Sequence, residues 1–412
     1  MIHFNHFVLD NGLKIYVHED PSVATAALNI LYDVGSRDED PEKTGFAHLF
    51  EHLMFGGSQN IPEYDKPLQR VGGENNAFTS PDITNYYLTL PAQNLETGFW
   101  LESDRMMSLS FNPEVLEVQR KVVIEEFKQR YLNQPYGDVW LKLRPLAYKV
   151  HPYRWATIGK DISHIEQATM EDVKAFFYKY YVPNNAIMVV AGNVKTEQVK
   201  QLAEKWFAPI PAGAPHVRNL PKEPQQTAAR FLEVEADVPA NMIYKVFKMS
   251  NKHSPKFLPT DLLSDILGRS KSSRLHQRLV QESSIFASAN AYITGSIDEG
   301  LFCVSGKVKD GIDISIAEQA MNEVIAEIRQ EKIREEELAK VKNQAEATLI
   351  MSEIEVLSRA MNLAYCALLG DANLINEESA KIQAMTNDDI FSVAQEVLAP
   401  EKETTLHYKV KK

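Results

Sequence analysis

Cysteine is almost absent. Cys303 and Cys366 are the only two in 412 residues, and their spacing fits neither a disulfide framework nor a thiolate metal site. They read as small buried hydrophobes in a reducing compartment. No window approaches 18 apolar residues, so no membrane span is expected. The opening residues MIHFNHFVLDNGLKIYVHED lack the basic start and apolar run of a secretory signal. The expected location is therefore the cytoplasm, with an export signal already removed as the alternative. Excess positive charge is missing too: a net charge of −12 argues against nucleic acid as a partner. What the chain does have is length, enough for two cores of about 200 residues each.

Its densest chemistry lies in Thr44 to Ser58, TGFAHLFEHLMFGGS. On a helix, His48, Glu51 and His52 share one face. Two imidazoles one turn apart can hold a metal ion, with a carboxylate beside any water on it. The order His-x-x-Glu-His is the inverse of the usual metalloprotease zinc motif. Phe46, Leu49, Phe50, Leu53, Met54 and Phe55 surround it with apolar bulk, predicting a largely buried helix that ends at Gly56-Gly57. Buried histidines need a partner such as a metal. The bland alternative is a pair of packed histidines bonded to Glu51.

Zinc wants a third protein ligand. A helix opened by Pro113 and running to about Arg130 puts Val118, Val122 and Glu126 on one stripe, so Glu126 is the carboxylate interrupting an expected core-facing row. Glu125 follows Lys121 on a more polar side and reads as an exposed ion pair. Between the two helices, RVGGENNAFTSPDITNYYLTLP predicts antiparallel strands at Ala77 to Thr79 and Thr84 to Leu90. An edge strand beside a metal is a natural place for an extended peptide to add its own backbone hydrogen bonds.

Around these stretches the chain alternates strands and helices in two similar halves. Phe7 to Leu9 and Leu13 to Val17 flank an Asn11-Gly12 hairpin turn, and Val23 to Val34 reads as a strand. Five prolines between Pro209 and Pro224 mark a boundary, giving domains at 1–212 and 229–412 joined by a linker at 213–228. The second half repeats the order: strands, a long helical region from about Thr260 to Gln281, strands, paired helices and a final strand at Thr404 to Val410. It has no second His-x-x-Glu-His. The class expected is α+β, two homologous domains, each a largely antiparallel sheet packed against helices. His151 reads as a loop histidine, and His253 and His276 as surface residues.

These residues carry a resemblance. His48-Leu49-Phe50-Glu51-His52, GGENNAFTSPDITNYY at 72–87, RKVVIEE at 120–126 and YYVPNNAIMVVAGN at 180–193 together resemble the pitrilysin-type (M16, inverzincin) zinc peptidases, in the short two-domain form of the mitochondrial processing peptidase subunits. The resemblance implies a zinc endopeptidase in which His48, His52 and Glu126 bind one Zn²⁺ and Glu51 is the general base. It also implies that the edge strand at Asn76, Ala77, Phe78 and Thr79 holds peptide or unfolded polypeptide. His₂Glu ligation does not exclude Mn²⁺ or Co²⁺.

Two positions depart from the family pattern. A supporting glutamate seven residues before the third ligand is here Gln119, a weaker tuner of the metal shell. An Arg and Tyr seven apart in the second domain, which reach substrate in active members, align with Val280 and Ala287; Arg274, Arg278 and Tyr292 are out of register. The expectation is a heterodimer, in which a homologous subunit without the zinc motif brings the Arg/Tyr pair. The competing readings are a noncatalytic scaffold or assembly subunit of the same fold, and a metal-independent peptide-binding module.

Overall fold

A computed structural model describes residues 1–411. At the N-terminus, Gly12 turns the chain with a positive φ of 87°, closing a hairpin of β1 (Asn5–Val8) and β2 (Lys14–Glu19) in which Val8 faces Lys14. Next come β3 (Thr25–Tyr32), β4 (Glu74–Thr79), β5 (Thr84–Pro91) and β6 (Ala186–Gly192), in the sheet order β1-β2-β6-β3-β5-β4. Only β2 and β6 pair in parallel. The run AIMVVAG of β6 is buried at every residue. Successive side chains of a strand point to opposite faces, so this sheet centre must be covered on both. The helix Val356–Leu368 packs on β3 and β6 and supplies one cover. Strand β4 forms one edge of the sheet.

A second sheet holds β7 (Arg230–Ala236), β8 (Met242–Lys248), β9 (Phe286–Ile293), β10 (Leu301–Val308) and β11 (Glu403–Val410), in the order β7-β11-β8-β10-β9. Strands β7 and β11 are its parallel pair. Strand for strand this repeats β2-β6-β3-β5-β4, with the same directions and chain order. The chain is therefore two homologous α+β domains, each a mixed sheet packed against helices.

By internal contact, however, the compact units are not the two contiguous halves on either side of the 213–228 segment. The first unit comprises Met1–Gln129, Trp155–Pro221 and Ile350–Glu378; the second comprises Arg130–Arg154, Lys222–Leu349 and the chain from Ser379 onward. Helix Val139–Ala147, from the first half, buries Val139, Leu143 and Ala147 on the second sheet with Leu406 and Tyr408. Its counterpart from the second half, Val356–Leu368, covers the first sheet. Each repeat thus lends the other one of the helices that lie between its own last two strands. The helical region expected from Thr260 to Gln281 is interrupted: a helix at Phe257–Ser264 widens over Asp265–Arg269, breaks at 270–273 and resumes, with a widened turn over His276–Glu282. At the break the Ser270 and Ser272 hydroxyls bond to each other at 3.1 Å.

Candidate metal centre and active site

The motif helix spans Phe46–Leu53. It starts at Gly45, whose φ of 89° and crowding by the Ile158 carbonyl, 2.6 Å from where a Cβ would lie, leave room for no side chain. Lacking a capping side chain at that position, the helix borrows one. Buried Glu39 accepts the Gly45 and Ala47 N–H groups at 3.0 and 2.9 Å and the Trp155 indole N–H at 3.1 Å. Burial pushes the Glu39 carboxyl up to about 8, against the downward pull of those donors. Phe46, Ala47, Leu49, Phe50 and Leu53 form the buried face. The helix is sunk on that side alone, for the His48 and His52 side chains keep 12% and 24% of their exposure.

The third ligand arrives on helix Pro113–Phe127, which Asn112 caps by accepting the Glu114 N–H at 2.8 Å. Gly56, just past the motif helix, lets this helix approach: a Cβ there would stand 2.3 Å from Val115 Cγ1. The expected core-facing stripe is not one. Val118 and Val122 are 56% and 44% exposed, and the buried row is Leu116, Val123 and Phe127. Glu126 lies at the margin of that row, so the stripe selected the right carboxylate for the wrong reason. Glu125 is exposed and pairs with Lys128 at 2.8 Å, while Lys121 pairs with Glu117 instead.

Glu126 Oε2 stands 3.7 Å from His48 Nε2 and 3.5 Å from His52 Nε2, and all three donor atoms lie within 4.8 Å of one another. Direct hydrogen bonds would bring them to about 2.7–3.0 Å. Donors bound to one zinc at about 2.1 Å in a tetrahedron stand roughly 3.4 Å apart. The observed spacing is the metal's, and two imidazoles with one carboxylate fit zinc with a fourth position open. Glu51, on the next ridge of the helix, accepts a hydrogen bond from Thr79 Oγ1 on β4 at 2.5 Å. Behind it lie the buried phenols of Tyr86 and Tyr181, oxygen to oxygen at 3.4 Å. Burial raises the pKa of both, and the Glu51 charge raises them further.

This arrangement of a zinc triad, an adjoining carboxylate and an edge strand on a duplicated α+β frame is matched among known proteins. The family model described as insulinase (peptidase family M16) matches residues 14–149, and the one described as the peptidase M16 inactive domain matches 167–345. The zinc protease PqqE of Helicobacter pylori is 30% identical over 409 residues, covering 97% of this chain and 91% of that protein. The chain belongs to the M16 peptidase family. With the His48, His52 and Glu126 cluster it is a zinc metallopeptidase of that family, with one zinc site in the chain. The crystal structure of a protease from Helicobacter pylori superposes with a TM-score of 0.93 at 28% identity, covering 99% of this chain and 100% of that one. The mitochondrial-processing peptidase subunit beta of Saccharomyces cerevisiae is 26% identical over 366 residues, 84% of this chain and 77% of that protein.

Other candidate residues of this M16 peptidase belong to the second unit and are not members of the triad's cluster. His151 is buried in the second unit, its Nδ1 accepting the Tyr153 N–H at 3.2 Å; His253 is exposed and His276 half-buried. Val280 packs against the second core and Ala287 is exposed on β9. Arg274 is held by Glu337, with both nitrogen–oxygen distances 3.1 Å, and Arg278 by Glu327 at 3.1 Å. The Tyr292 phenol lies against Cys303, its pKa raised chiefly by burial. Sequence reasoning missed the support beneath the motif: Arg105, fully buried, is gripped by Glu102 at 2.7 and 2.8 Å and stacks over Phe55, Tyr64 and Tyr86. A Glu and an Arg three apart on a helix look in sequence like any surface pair.

Proposed function

We propose that this M16 peptidase is the zinc-bearing subunit of a two-subunit endopeptidase in which Glu51 is the general base and β4 holds the peptide. The observation that carries the reading is Glu51 itself, one residue from a metal-ligating histidine and hydrogen-bonded to an edge strand of the sheet. A zinc ion held by His48, His52 and Glu126 would polarise the scissile carbonyl and lower the pKa of its water from about 15.7 toward 7. Glu51 then takes the proton of the attacking water and returns it to the leaving amine. Extended substrate pairs with the free edge of β4 along Asn76 to Thr79, which sets its carbonyl against the site. Gln119, two helical turns before Glu126 and on the same face, is proposed to steady that ligand.

Two points support partner dependence. By the family resemblance Val280 and Ala287 stand where the substrate-reaching Arg and Tyr would be, and the nearby arginines are already paired within the second unit. A relative matched over 84% of this chain is named as a subunit of a processing peptidase. A noncatalytic scaffold would have no use for a base beside a metal. Cleavage of a mixed peptide library is to be measured with the zinc-loaded chain alone and with a homologous subunit that carries the Arg/Tyr pair. Activity in the mixture alone, falling roughly 10²–10⁴-fold in Glu51→Gln with zinc retained, is the expected result. Full activity of the isolated chain overturns the two-subunit reading, and zinc binding without cleavage in any mixture favours the scaffold.

A further inference from the structure

Thr79 closes β4, pairing with Thr84 of β5 at the tip of the hairpin. Along β4 the side chains alternate. Asn76 and Phe78 are exposed, whereas Ala77 and Thr79 are half-buried on the other face, and the motif helix packs beside this strand. The turn that follows is fixed: Ser80 Oγ accepts the N–H groups of Asp82 and Ile83 at 3.1 and 3.0 Å, and the Ser80 N–H donates to the Ile83 carbonyl at 2.9 Å. Thr79 therefore stands on a held piece of backbone. Its hydroxyl has one proton to give, and that proton points at Glu51 Oε2, 2.5 Å away. The Tyr86 and Tyr181 hydroxyls, which feel the Glu51 charge, face each other in the core.

We propose that Thr79 is a positioning residue for Glu51: its hydroxyl holds one carboxylate oxygen and so fixes the plane in which the carboxylate meets the reacting water. The inference rests on the proposed roles of Glu51 and β4, and it divides the labour within one residue. The backbone of Thr79 belongs to the strand that receives peptide, and its side chain serves the base. A carboxylate can turn about its last torsion, and a general base works only within hydrogen-bond reach of its proton. Fixing Oε2 removes that freedom. Peptide added to β4 also restrains the strand that carries the hydroxyl, so substrate docking and alignment of the base are joined through one hydrogen bond.

The test compares Thr79→Val, which keeps the shape and loses the donor, with Thr79→Ser, which keeps the donor. Both are made in the zinc-loaded protein, with the partner subunit if turnover needs it. Thr79→Val is expected to lower kcat about tenfold or more while KM stays within about twofold, and Thr79→Ser to restore kcat to within about threefold of the parent. A readout without turnover accompanies it. A phosphinic peptide, whose tetrahedral phosphorus mimics the attacked carbonyl, should bind about tenfold more weakly to Thr79→Val. The matching ordinary peptide should bind Glu51→Gln equally well with or without Thr79→Val, and zinc content should be unchanged throughout. A raised KM and weaker ordinary-peptide binding at constant kcat would show that the side chain touches substrate, which overturns the proposal. So would a Thr79→Val protein indistinguishable from the parent, or a Thr79→Ser protein as impaired as Thr79→Val. If the parent cleaves nothing in any mixture, the proposed function fails, and the phosphinic arm still decides the role of Thr79 by itself.

Discussion

The two domains begin their first helix in the same way and then diverge, most tellingly at the three positions of the metal motif. In both, a five-residue turn leads into a helix that opens with phenylalanine, Phe46 in one and Phe257 in the other. Counting from there, His48 corresponds to Pro259, Glu51 to Leu262 and His52 to Leu263. Leu262 and Leu263 are 1% and 0% exposed and belong to the second hydrophobic core, whereas the three polar residues of the first helix remain partly open. One scaffold therefore carries two solutions. In the second domain the helix is sealed into the core by leucine, which stabilises the fold and leaves no donor for a metal. In the first, one ridge is held out of the core, and the buried carboxylate Glu39, the ion pair Glu102–Arg105 and Gly56 support the helix that bears it.

The most direct way to break this comparison is to exchange its residues. His52→Leu installs the residue of the second domain at a partly exposed position. It should leave the fold intact and remove both stoichiometric zinc, read by atomic absorption, and all zinc-dependent cleavage. The reverse change, Leu263→His, places an imidazole in a sealed core with no partner. It should cost about 2–5 kcal/mol, read as a lower denaturant midpoint, with no gain of metal. Gly56→Ala sharpens the contrast more gently. Its Cβ would meet Val115, forcing apart the helices that bring His52 and Glu126 together, so about 1–3 kcal/mol of stability and part of the zinc affinity should be lost.

The smallest effect expected is on pH dependence. Glu39 titrates near 8 when folded, against an ordinary value of 4.5, so the folded chain binds a proton more tightly than the unfolded chain across that window. Its contribution to stability is complete below about 4.5 and is lost as pH rises through about 8. Thermal midpoints of the parent should therefore fall more between these limits than those of Glu39→Gln, which cannot ionise. Equal slopes would show that Glu39 is not the titrating support.

Much of the metal site was legible because it is local. Two histidines and a glutamate within one turn of helix declare their geometry through spacing alone, and the glycines and turn residues around them mark where the helix and the β4–β5 hairpin end. Glu126 was reached through the resemblance and through a stripe whose valines turned out to be exposed: periodicity finds the faces of a helix but does not say which of them meets the core. Glu39, Arg105 and the Tyr86–Tyr181 pair left no such trace, because their partners are distant in the chain or look like ordinary surface pairs. The exchange of helices between repeats was equally hidden. Val139–Ala147 and Val356–Leu368 have the apolar spacing of any buried helix, and spacing does not record which sheet a helix covers.

That exchange has a consequence for how the protein is made. The sheet beside the zinc motif is covered by the helix Val356–Leu368, which is translated long after that sheet's last strand, Ala186–Gly192. Until then β3 and β6 lack their cover, and the nascent peptidase holds its ligands on an unfinished platform. The platform beneath the metal centre is thereby completed only once most of the second repeat has been made.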